Sequence, residues 1–432
     1  MKYISTRQQQ QETNIKTAIL KGLADDGGLF MPEYIPKLDS VFFENLPNLS
    51  LQEIGFRVAK EFLGESIADE NLEEIIDEVL NFEIPVVKIS DNIYSLELFH
   101  GPTMAFKDVG ARFMARMMSY FSEGKPMKVI AATSGDTGSA VASGFFGVLG
   151  IEVYILYPKG KVSPLQEKQL TTWGGNIKAF EIDGTFDDCQ ALAKQILSDD
   201  ELNQKFTLTS ANSINIARLI PQSFYYFWAF SQLQKLGKPI VFSVPSGNFG
   251  NLTAGLFAKK MGLPVHQFIA ATNENDVMPK FLETGNYEAK PSKQTISNAM
   301  DVGNPSNFER LKSLFNNDVL EFKKEIESYS FSDEETKSAM IKVKQKFDYT
   351  LDPHGAVAYL GLQKYSEKSD EEFIGVLLET AHPAKFVEVV EDVLKEKIEI
   401  PEKLETFNKK EKQSVEFPVD FELMKQFLIE EK

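Results

Sequence analysis

Apolar runs of strand length alternate with amphipathic stretches of helix length through much of this chain. The predicted strands cover 127–133, 152–157, 177–182, 206–210, 239–244, 265–272 and 374–380. The predicted helices between them cover 139–146, 164–173, 186–197 and 251–261. Strands that alternate with helices are typical of a parallel sheet with helices on its faces. The pattern therefore predicts an α/β protein.

The regions outside this alternation differ in character. Residues 1 to about 80 are acidic and helix-rich, and residues 305–350 are charged and predicted to be helical without a strand. A helix and a tail rich in Lys and Glu follow the last predicted strand. We expect two lobes with a cleft between them, the smaller at about 125–220, since the two sets of strands are well separated along the chain.

Composition and charge limit the possible partners. The chain has 432 residues, with 46 Lys and Arg against 63 Asp and Glu, so its formal net charge is −17. A net negative surface repels nucleic acid and anionic lipid, and neither is expected as a partner. An anionic small molecule would need a binding site built locally from backbone amides and a few cations.

Cysteine and histidine usage indicates the compartment and argues against a metal. Cys189 is the single cysteine, so no disulfide can form within the chain, which is typical of the cytosol. The first residues have no apolar segment of the signal-peptide type, and no apolar run reaches the roughly 20 residues of a membrane helix. The four histidines lie far apart without ligand spacing, so no metal is expected.

Lys107 is a candidate catalytic residue because of its position. It lies between a predicted strand at 93–99 and a predicted helix at 109–120, with Asp108 as a possible N-cap. The helix dipole and any burial would lower the pKa of a lysine there, and a neutral amine is what Schiff-base chemistry needs. Taken alone, the position also fits a lysine that points into water.

Two glycine-rich loops follow predicted strands and precede predicted helices, at 134–138 (SGDTG) and 246–251 (SGNFGN). Glycine lets several backbone amides face one point, and the following helix adds its dipole, so each loop could hold a phosphate or carboxylate. Each could equally be a tight turn. Neither has the spacing of a dinucleotide-binding or Walker loop, which argues against a flavin or nucleotide binder.

Two further polar segments follow predicted strands. Asn212, Ser213 and Asn215 offer neutral groups at 210–218, and Arg218 offers a planar fork suited to phosphate. A capped helix with a surface arginine would give the same pattern. At 378–383 (LETAHP) a strand ends in the hydroxyl residue Thr380, which is common and is weak support by itself.

These segments together resemble the threonine synthases of the longer bacterial and fungal type, within the fold-type-II pyridoxal-phosphate enzymes. The similarity extends in order over nearly the whole chain. It is carried by GLADDGGLFMPEYIP (22–36), HGPTMAFKD (100–108), TSGDTG (133–138), LYPKGKVSPLQEKQL (156–170), SANSINIARL (210–219), SVPSGNFGNLTAG (243–255), AATNENDVMPKF (270–281), SNAMDVGNPSN (297–307) and LETAHPAKF (378–386).

The resemblance implies a fold, an activity and a cofactor. The fold would be the fold-type-II architecture, with two lobes of parallel or mixed sheet, flanking helices and a helical N-terminal region. An N-terminal domain would span 1–82 and a catalytic domain 83–432. The activity would convert O-phospho-L-homoserine and water to L-threonine and phosphate, by β,γ-elimination and β-addition, with pyridoxal 5'-phosphate as cofactor.

The resemblance also implies roles for particular residues. Lys107 would hold the cofactor through a Schiff base and then move protons. Asp136, where many relatives in the wider fold carry Asn, would lie beside the cofactor's phenolic oxygen, so that one of the two would need to hold a proton. The other implied cofactor contacts are the phosphate loop (Gly247, Asn248, Phe249, Gly250, Asn251) and Thr380 at the pyridine nitrogen. The implied substrate contacts are Ser134 and Thr137 for the carboxylate and Ser213, Asn215 and Arg218 for the phosphate.

Two alternatives remain at this stage. A serine or threonine dehydratase would share the fold and the cofactor, and Arg218 together with the stretch at 305–350 argues against it by resemblance. A binding protein without catalysis would keep the loops but would not need an amine at Lys107. The sequence leaves the oligomeric state open between a monomer and a homodimer.

Overall fold

The computed structural model describes residues 1–7, 12–133 and 135–430, which form two compact units. Unit 1 contains Met1 and residues 31–106 and 219–399. Unit 2 contains residues 2–30, 107–218 and 400–432. Residues 431 and 432 lie outside the described part of the chain. In the described residues, no helix combines the length and apolar character needed to cross a membrane.

Short strands occur throughout the described chain. They are β1 (Tyr3–Ser5), β2 (Phe30–Pro32), β3 (Val86–Lys88), β4 (Ile93–Glu97), β5 (Met127–Ala132), β6 (Ile151–Pro158), β7 (Ile177–Ile182), β8 (Thr207–Ser210), β9 (Ile240–Pro245), β10 (Gln267–Thr272), β11 (Ile326–Ser330), β12 (Ile374–Glu379) and β13 (Ser414–Phe417).

Helices connect most of these strands. They are α1 (Ile15–Lys21), α2 (Ser40–Asn45), α3 (Leu51–Leu63), α4 (Asp69–Val79), α5 (Lys107–Ser122), α6 (Asp136–Phe145), α7 (Pro164–Thr171), α8 (Phe186–Ser198), α9 (Asp200–Lys205), α10 (Ile216–Leu219), α11 (Phe224–Leu233), α12 (Gly250–Lys260), α13 (Val277–Thr284), α14 (Phe308–Leu314), α15 (Val319–Glu325), α16 (Asp333–Phe347), α17 (Pro353–Ser366), α18 (Val387–Leu394), α19 (Glu402–Asn408) and α20 (Phe421–Glu430).

Unit 1 contains a six-stranded mixed sheet in the order β11-β10-β9-β12-β4-β3. Its pairs are parallel except at one edge, where β3 runs antiparallel to β4. Val241, Ile269 and Leu377 of the sheet share a buried core with Val343 of α16 and Leu362 of α17. The central strands are therefore covered by helices, as is normal for parallel sheet.

Unit 2 contains a five-stranded parallel sheet in the order β13-β7-β6-β5-β8. Its core joins Tyr154 and Phe180 of the sheet to Leu192 of α8 and Met424 of α20, all buried. The helices α5 and α6 pack closely, since a Cβ on Gly144 would lie 2.9 Å from the backbone carbon of Ala111. The helix that begins at Lys107 is thus fixed against the helix that begins at Asp136.

The predicted α/β class and mixed or parallel sheets are confirmed, whereas three local expectations are wrong. β11 lies within the stretch predicted to be helical without a strand, and β13 lies in the predicted tail. Each lies at one edge of its sheet and pairs with a single neighbour. Asp108 is not an N-cap but lies buried in the first turn of α5, which begins at Lys107.

The entry into α16, just after β11, offers a test of the local structure. Ser332 is the N-cap of this helix and forms a capping box with Glu335. We expect Ser332→Ala to lower the free energy of unfolding by about 1 kcal/mol, since an N-terminal amide loses its partner. Ser338→Ala is the matched control, because Ser338 lies at an exposed position inside the same helix. It should leave the free energy of unfolding unchanged or slightly higher. Chemical denaturation would measure both, and equal effects would contradict the assignment.

Candidate active site

Three neighbouring strands of unit 1 bring candidate residues to one edge of its sheet. β12 pairs in parallel with β9 on one side and with β4 on the other. The loop 246–249 follows β9, Thr380 follows β12, and the segment 98–106 follows β4. Because parallel strands end at the same edge, the glycine loop, Thr380 and the chain that leads to Lys107 lie together at the carboxyl edge of the sheet.

Hydrogen bonds fix the chain immediately before Lys107. The Phe106 amide donates to the Thr380 carbonyl oxygen at 2.8 Å, and the Tyr225 hydroxyl donates to the Phe106 carbonyl oxygen at 2.6 Å. Met104 holds a left-handed backbone conformation at φ 56°, which is strained for a residue with a side chain. Lys107 itself is half-buried and is the first residue of α5, in agreement with its predicted position at a helix start.

The glycine loop after β9 has the features of an anion cradle. Phe249 adopts a left-handed conformation at φ 57°, which brings the chain sharply into α12. The Asn251 side-chain oxygen accepts from the Tyr226 hydroxyl at 2.8 Å, which leaves its Nδ2 buried without a hydrogen-bond partner among the described residues. A buried amide nitrogen of this kind costs stability unless it meets an acceptor. The loop therefore fits a phosphate group.

Gly247 is needed for close packing behind the loop. A Cβ there would lie 2.8 Å from Met300 Cα and 3.1 Å from the Ala299 carbonyl oxygen. The Ser306 amide also donates to Asn248 Oδ1 at 2.5 Å. The segment 297–307 thus supports the glycine loop from one side.

Unit 2 brings its own candidate residues together at the carboxyl edge of its sheet. Thr133 follows β5, and its Oγ1 accepts from the amides of Gly135 at 3.0 Å and Gly138 at 2.8 Å. Asn212 follows the neighbouring strand β8 and donates through Nδ2 to the Ala132 carbonyl oxygen at 3.3 Å. The two polar loops predicted from the sequence are therefore neighbours, and Ser134 falls outside the described residues.

Asp136 has a partner that the sequence reasoning missed. It is the first residue of α6 and is buried, and Gln166 Nε2 donates to its Oδ1 at 2.9 Å. Gln166 is in the first turn of α7, which Ser163 caps, so the amide is held in place from a separate helix. Thr137 follows Asp136 and is half-buried.

The residues expected to bind the substrate phosphate are well embedded in unit 2. Asn215 is fully buried, with Nδ2 donating to the Ile19 carbonyl oxygen at 2.8 Å and Oδ1 accepting from the Ala217 amide at 3.0 Å. Arg218 is 2% exposed and donates through Nη1 to the Ala211 carbonyl oxygen at 2.6 Å. Ser213 is half-buried in the same turn. Asn215 therefore orders this segment, and its contact with substrate stays a prediction.

A buried acidic cluster lies next to Thr380 in unit 1. Glu379, the last residue of β12, is fully buried, and its Oε1 accepts from the Asp352 amide at 2.7 Å. Burial raises the pKa of the Glu379 carboxyl well above its ordinary value, and the Asp352 carboxylate, followed by Glu97, raises it further. Both effects favour the neutral, protonated form of Glu379. The sequence signal for it is an acid at the end of the otherwise apolar run IGVLLE.

His382, two residues after Thr380, is also neutral. Burial, followed by the nearby His100, lowers its pKa to about 4. Its Nδ1 accepts from the Ala384 amide at 3.1 Å, which requires an unprotonated nitrogen. Neutral groups therefore flank Thr380 along the chain on both sides.

The fold and these loops define a pyridoxal-phosphate enzyme of fold type II. Residues 85–379 match the family described as "Pyridoxal-phosphate dependent enzyme". Residues 2–80 match "Threonine synthase N terminus", and residues 355–428 match "Threonine synthase, C-terminal".

Relatives and solved structures narrow the class to one family. The chain is 42% identical to threonine synthase of Escherichia coli (strain K12) over 430 residues, 99% of each chain, and 38% identical to that of Saccharomyces cerevisiae over 502 residues, 99% of this chain and 98% of the yeast enzyme. It is similar to the crystal structure of the Escherichia coli threonine synthase with a TM-score of 0.94 and full coverage of both chains. For a PLP-bound threonine synthase from Brucella melitensis the TM-score is 0.93 at 35% identity, covering 99% and 98%. The chain belongs to the threonine synthase family.

More distant structures share the fold alone. Maize serine racemase aligns with a TM-score of 0.55 at 16% identity over 72% of this chain and 92% of that one. The family matches and the threonine synthase relatives confirm the predicted family, fold class and cofactor. The chain is a pyridoxal-phosphate-dependent lyase.

The raised pKa of Glu379 gives a pH-dependent prediction. Above about pH 4.5, Glu379 loses its proton in the unfolded chain but keeps it in the folded protein. The free energy of unfolding therefore falls by up to about 1.4 kcal/mol for each further pH unit. This fall ends where the pH reaches the raised pKa of folded Glu379. Glu379→Gln cannot ionise and should be increasingly more stable than wild type from pH 5 to pH 7.

Thermal unfolding at fixed cofactor concentration would measure this difference. Glu73→Gln, at an exposed position on α4, is the control and should show no such trend. An advantage of Glu379→Gln that stayed constant across the pH range would mean that folded Glu379 is ionised.

Proposed function

We propose that this chain converts O-phospho-L-homoserine and water to L-threonine and phosphate. Membership of the threonine synthase family supports this substrate pair. The observation that carries the assignment of residues is the shared carboxyl edge of β9, β12 and β4. The glycine loop, the Thr380 hydroxyl and the chain leading to the half-buried Lys107 meet at this edge.

Lys107 is the proposed catalytic residue. The bound cofactor supplies an electron sink for negative charge that develops on the substrate carbons. Lys107 would hold the cofactor covalently, and its amine, when free, would remove and return protons at the α and β carbons of the substrate. The hydrogen bonds of Phe106 to Thr380 and Tyr225 fix the backbone from which this amine extends. Such restraint favours proton transfer, which needs a short and well-aligned path.

The remaining cofactor contacts are proposed for unit 1. The amides of Gly247, Asn248, Phe249, Gly250 and Asn251 hold the phosphate at the N-terminus of α12, where the helix dipole favours an anion. The Thr380 hydroxyl would form a hydrogen bond with the pyridine nitrogen. Because burial favours the neutral forms of Glu379 and His382, neither of these side chains favours protonation of that nitrogen. The electron sink is therefore weaker than one beside a carboxylate, and it suits elimination at the β and γ carbons.

The substrate contacts are proposed for unit 2. Ser134, Thr137 and the amides at the start of α6 bind the substrate carboxylate. Asp136 is proposed to contact the cofactor. Its carboxyl group already accepts a hydrogen bond from the neutral side chain of Gln166. Arg218 provides the positive charge for the departing phosphate, with Ser213 and Asn215 beside it in the chain. In a protein of net charge −17 this cation has to be supplied locally.

The wider setting is also proposed. We infer a cytoplasmic enzyme that acts as a monomer or a homodimer, with a small-molecule substrate and no nucleic acid or membrane partner. Residues 1–82 would form a helix-rich N-terminal domain of the threonine-synthase type, and residues 83–432 would form the catalytic domain.

Loss of Lys107 tests the proposed catalytic role. Lys107→Ala should lower turnover of phosphohomoserine by at least about a thousandfold, because both the covalent link and the proton transfers are lost. Borohydride reduction of the wild-type holoenzyme should bleach its visible absorbance and leave the label on Lys107, as peptide mass spectrometry would show. Lys194→Ala, at an exposed position on α8, is the control and should behave as wild type. Substantial activity in Lys107→Ala would refute the mechanism.

Replacement of Arg218 tests the phosphate contact. Arg218→Lys keeps the charge but loses the planar fork, so the KM for phosphohomoserine should rise about ten- to a hundredfold. Arg116→Lys is the matched control, since Arg116 likewise donates to a backbone carbonyl oxygen, that of Gly144. Steady-state kinetics would give KM, and release of 2-oxobutyrate from threonine would report dehydratase activity. An unchanged KM would remove Arg218 from the substrate site.

A further inference from the structure

The segment 297–307 has no role in the function proposed so far, yet it contacts the glycine loop. Its Ala299 carbonyl oxygen and Met300 Cα occupy the space beside Gly247, and its Ser306 amide donates to Asn248 Oδ1. Gly247 therefore cannot move toward this side. Whatever holds the segment 297–307 in place also sets the position of the loop.

His354 makes a direct hydrogen bond to this segment. Its Nε2 lies 3.2 Å from the Ala299 amide nitrogen, and its Nδ1 lies 2.5 Å from Asp352 Oδ2. A backbone amide can only donate, so Nε2 is the acceptor and the proton of the neutral ring is on Nδ1, where it is donated to Asp352. His354 and Asp352 are both buried, and the ring packs against Phe386 with centroids 4.9 Å apart.

Asp352 is itself held at two points. Its Oδ1 accepts from the Gly355 amide at 2.7 Å as the N-cap of α17, and its own amide donates to Glu379 Oε1 at 2.7 Å. A buried hydrogen-bonded path thus runs from the end of β12, through Asp352 and His354, to Ala299 beside Gly247. Side chains in such networks have little freedom to turn.

The rest of the segment is tied down elsewhere. Asp301 accepts from the Asn273 side chain at 2.9 Å and from the Thr295 amide at 3.0 Å. Within the segment, the Met300 amide donates to the Ser297 carbonyl oxygen at 3.0 Å and the Asp301 amide donates to the Asn298 carbonyl oxygen at 3.1 Å. The Ala299 amide instead donates outside the segment, to His354, and so joins the part that faces Gly247 to α17.

We propose that His354, oriented by Asp352, is a positioning residue for the loop 246–251: by fixing Ala299 and Met300 against Gly247 it sets the geometry in which that loop binds the cofactor phosphate. The inference rests on the proposed assignment of this loop to the phosphate. His354 touches neither cofactor nor substrate in this role. Its effect should appear in recognition of the phosphate group and not of the pyridine ring.

The experiment compares two probes on cofactor-depleted enzyme: pyridoxal 5'-phosphate and pyridoxal, which lacks the phosphate. His354→Phe keeps a ring against Phe386 but removes the acceptor for Ala299. We expect its Kd for pyridoxal phosphate to rise about three- to tenfold, the effect of one lost hydrogen bond, with its Kd for pyridoxal unchanged. His354→Gln, which can supply an acceptor, should recover most of the affinity. His266→Phe, at an exposed position, is the control and should match wild type.

The outcomes separate a positioning role from a structural one. An unchanged Kd for pyridoxal phosphate in His354→Phe, or an equal loss for both probes, would overturn the proposal. If His354→Phe does not fold, Ala299→Pro removes the donor at the other end of the same hydrogen bond and should show the same selective loss of affinity for pyridoxal phosphate. A ratio of the two Kd values in Ala299→Pro equal to that of wild type would also overturn the proposal.

A loop variant distinguishes this inference from the proposed function. Gly247→Ala places a Cβ 2.8 Å from Met300 Cα and should also lose affinity selectively for pyridoxal phosphate. If Gly247→Ala shows that loss and His354→Phe does not, the loop binds the phosphate and His354 has no positioning role. If neither shows it while borohydride still labels Lys107, the assignment of the loop fails as well.

Discussion

The parallel alignment of β9, β12 and β4 is the constraint on which the candidate site of unit 1 depends. Leu377 of β12 lies opposite Ser243 of β9, and Glu379 lies opposite Glu97 of β4. All three strands therefore end at the same edge. If β12 ran the other way, Thr380 would lie at the opposite edge from the glycine loop, whatever its own sequence. Backbone pairing, rather than any single side chain, brings the glycine loop, the Thr380 hydroxyl and the chain before Lys107 together.

The central strands and helices could be predicted because each carries its own signal. A strand with neighbours on both sides is buried along its whole length and is mostly apolar, as at Met127–Ala132 and Ile374–Glu379, where Lys128 and Glu379 are the charged exceptions. β11 (IESYS) and β13 (SVEF) carry polar residues, since each lies at a sheet edge and is partly exposed. Their pairing partners are far away in sequence, so a local pattern could not identify them.

The same limit applies to the site. Lys107 at a helix start and glycine between strand and helix are local features, and both were visible in the sequence. The partners that tune the site are not local: Gln166 donates to Asp136 across 30 residues, Asp352 to Glu379 across 27 and Ala299 to His354 across 55. The roles assigned to these loops came from resemblance to a family, because a glycine-rich turn alone does not distinguish an anion cradle from a plain turn.

The contact between Gly355 and Glu379 restricts how this protein can change. A Cβ on Gly355 would coincide with the Glu379 carboxyl, so any larger residue at 355 first requires a shorter one at 379. Such a shorter residue would give up the acceptor of the Asp352 amide. A larger residue at 355 or a shorter one at 379 is therefore costly when it is introduced alone, and the two positions are expected to covary among descendants of this sequence. A library that randomised either position separately would therefore miss the viable combinations, whereas one that varied both together could find them.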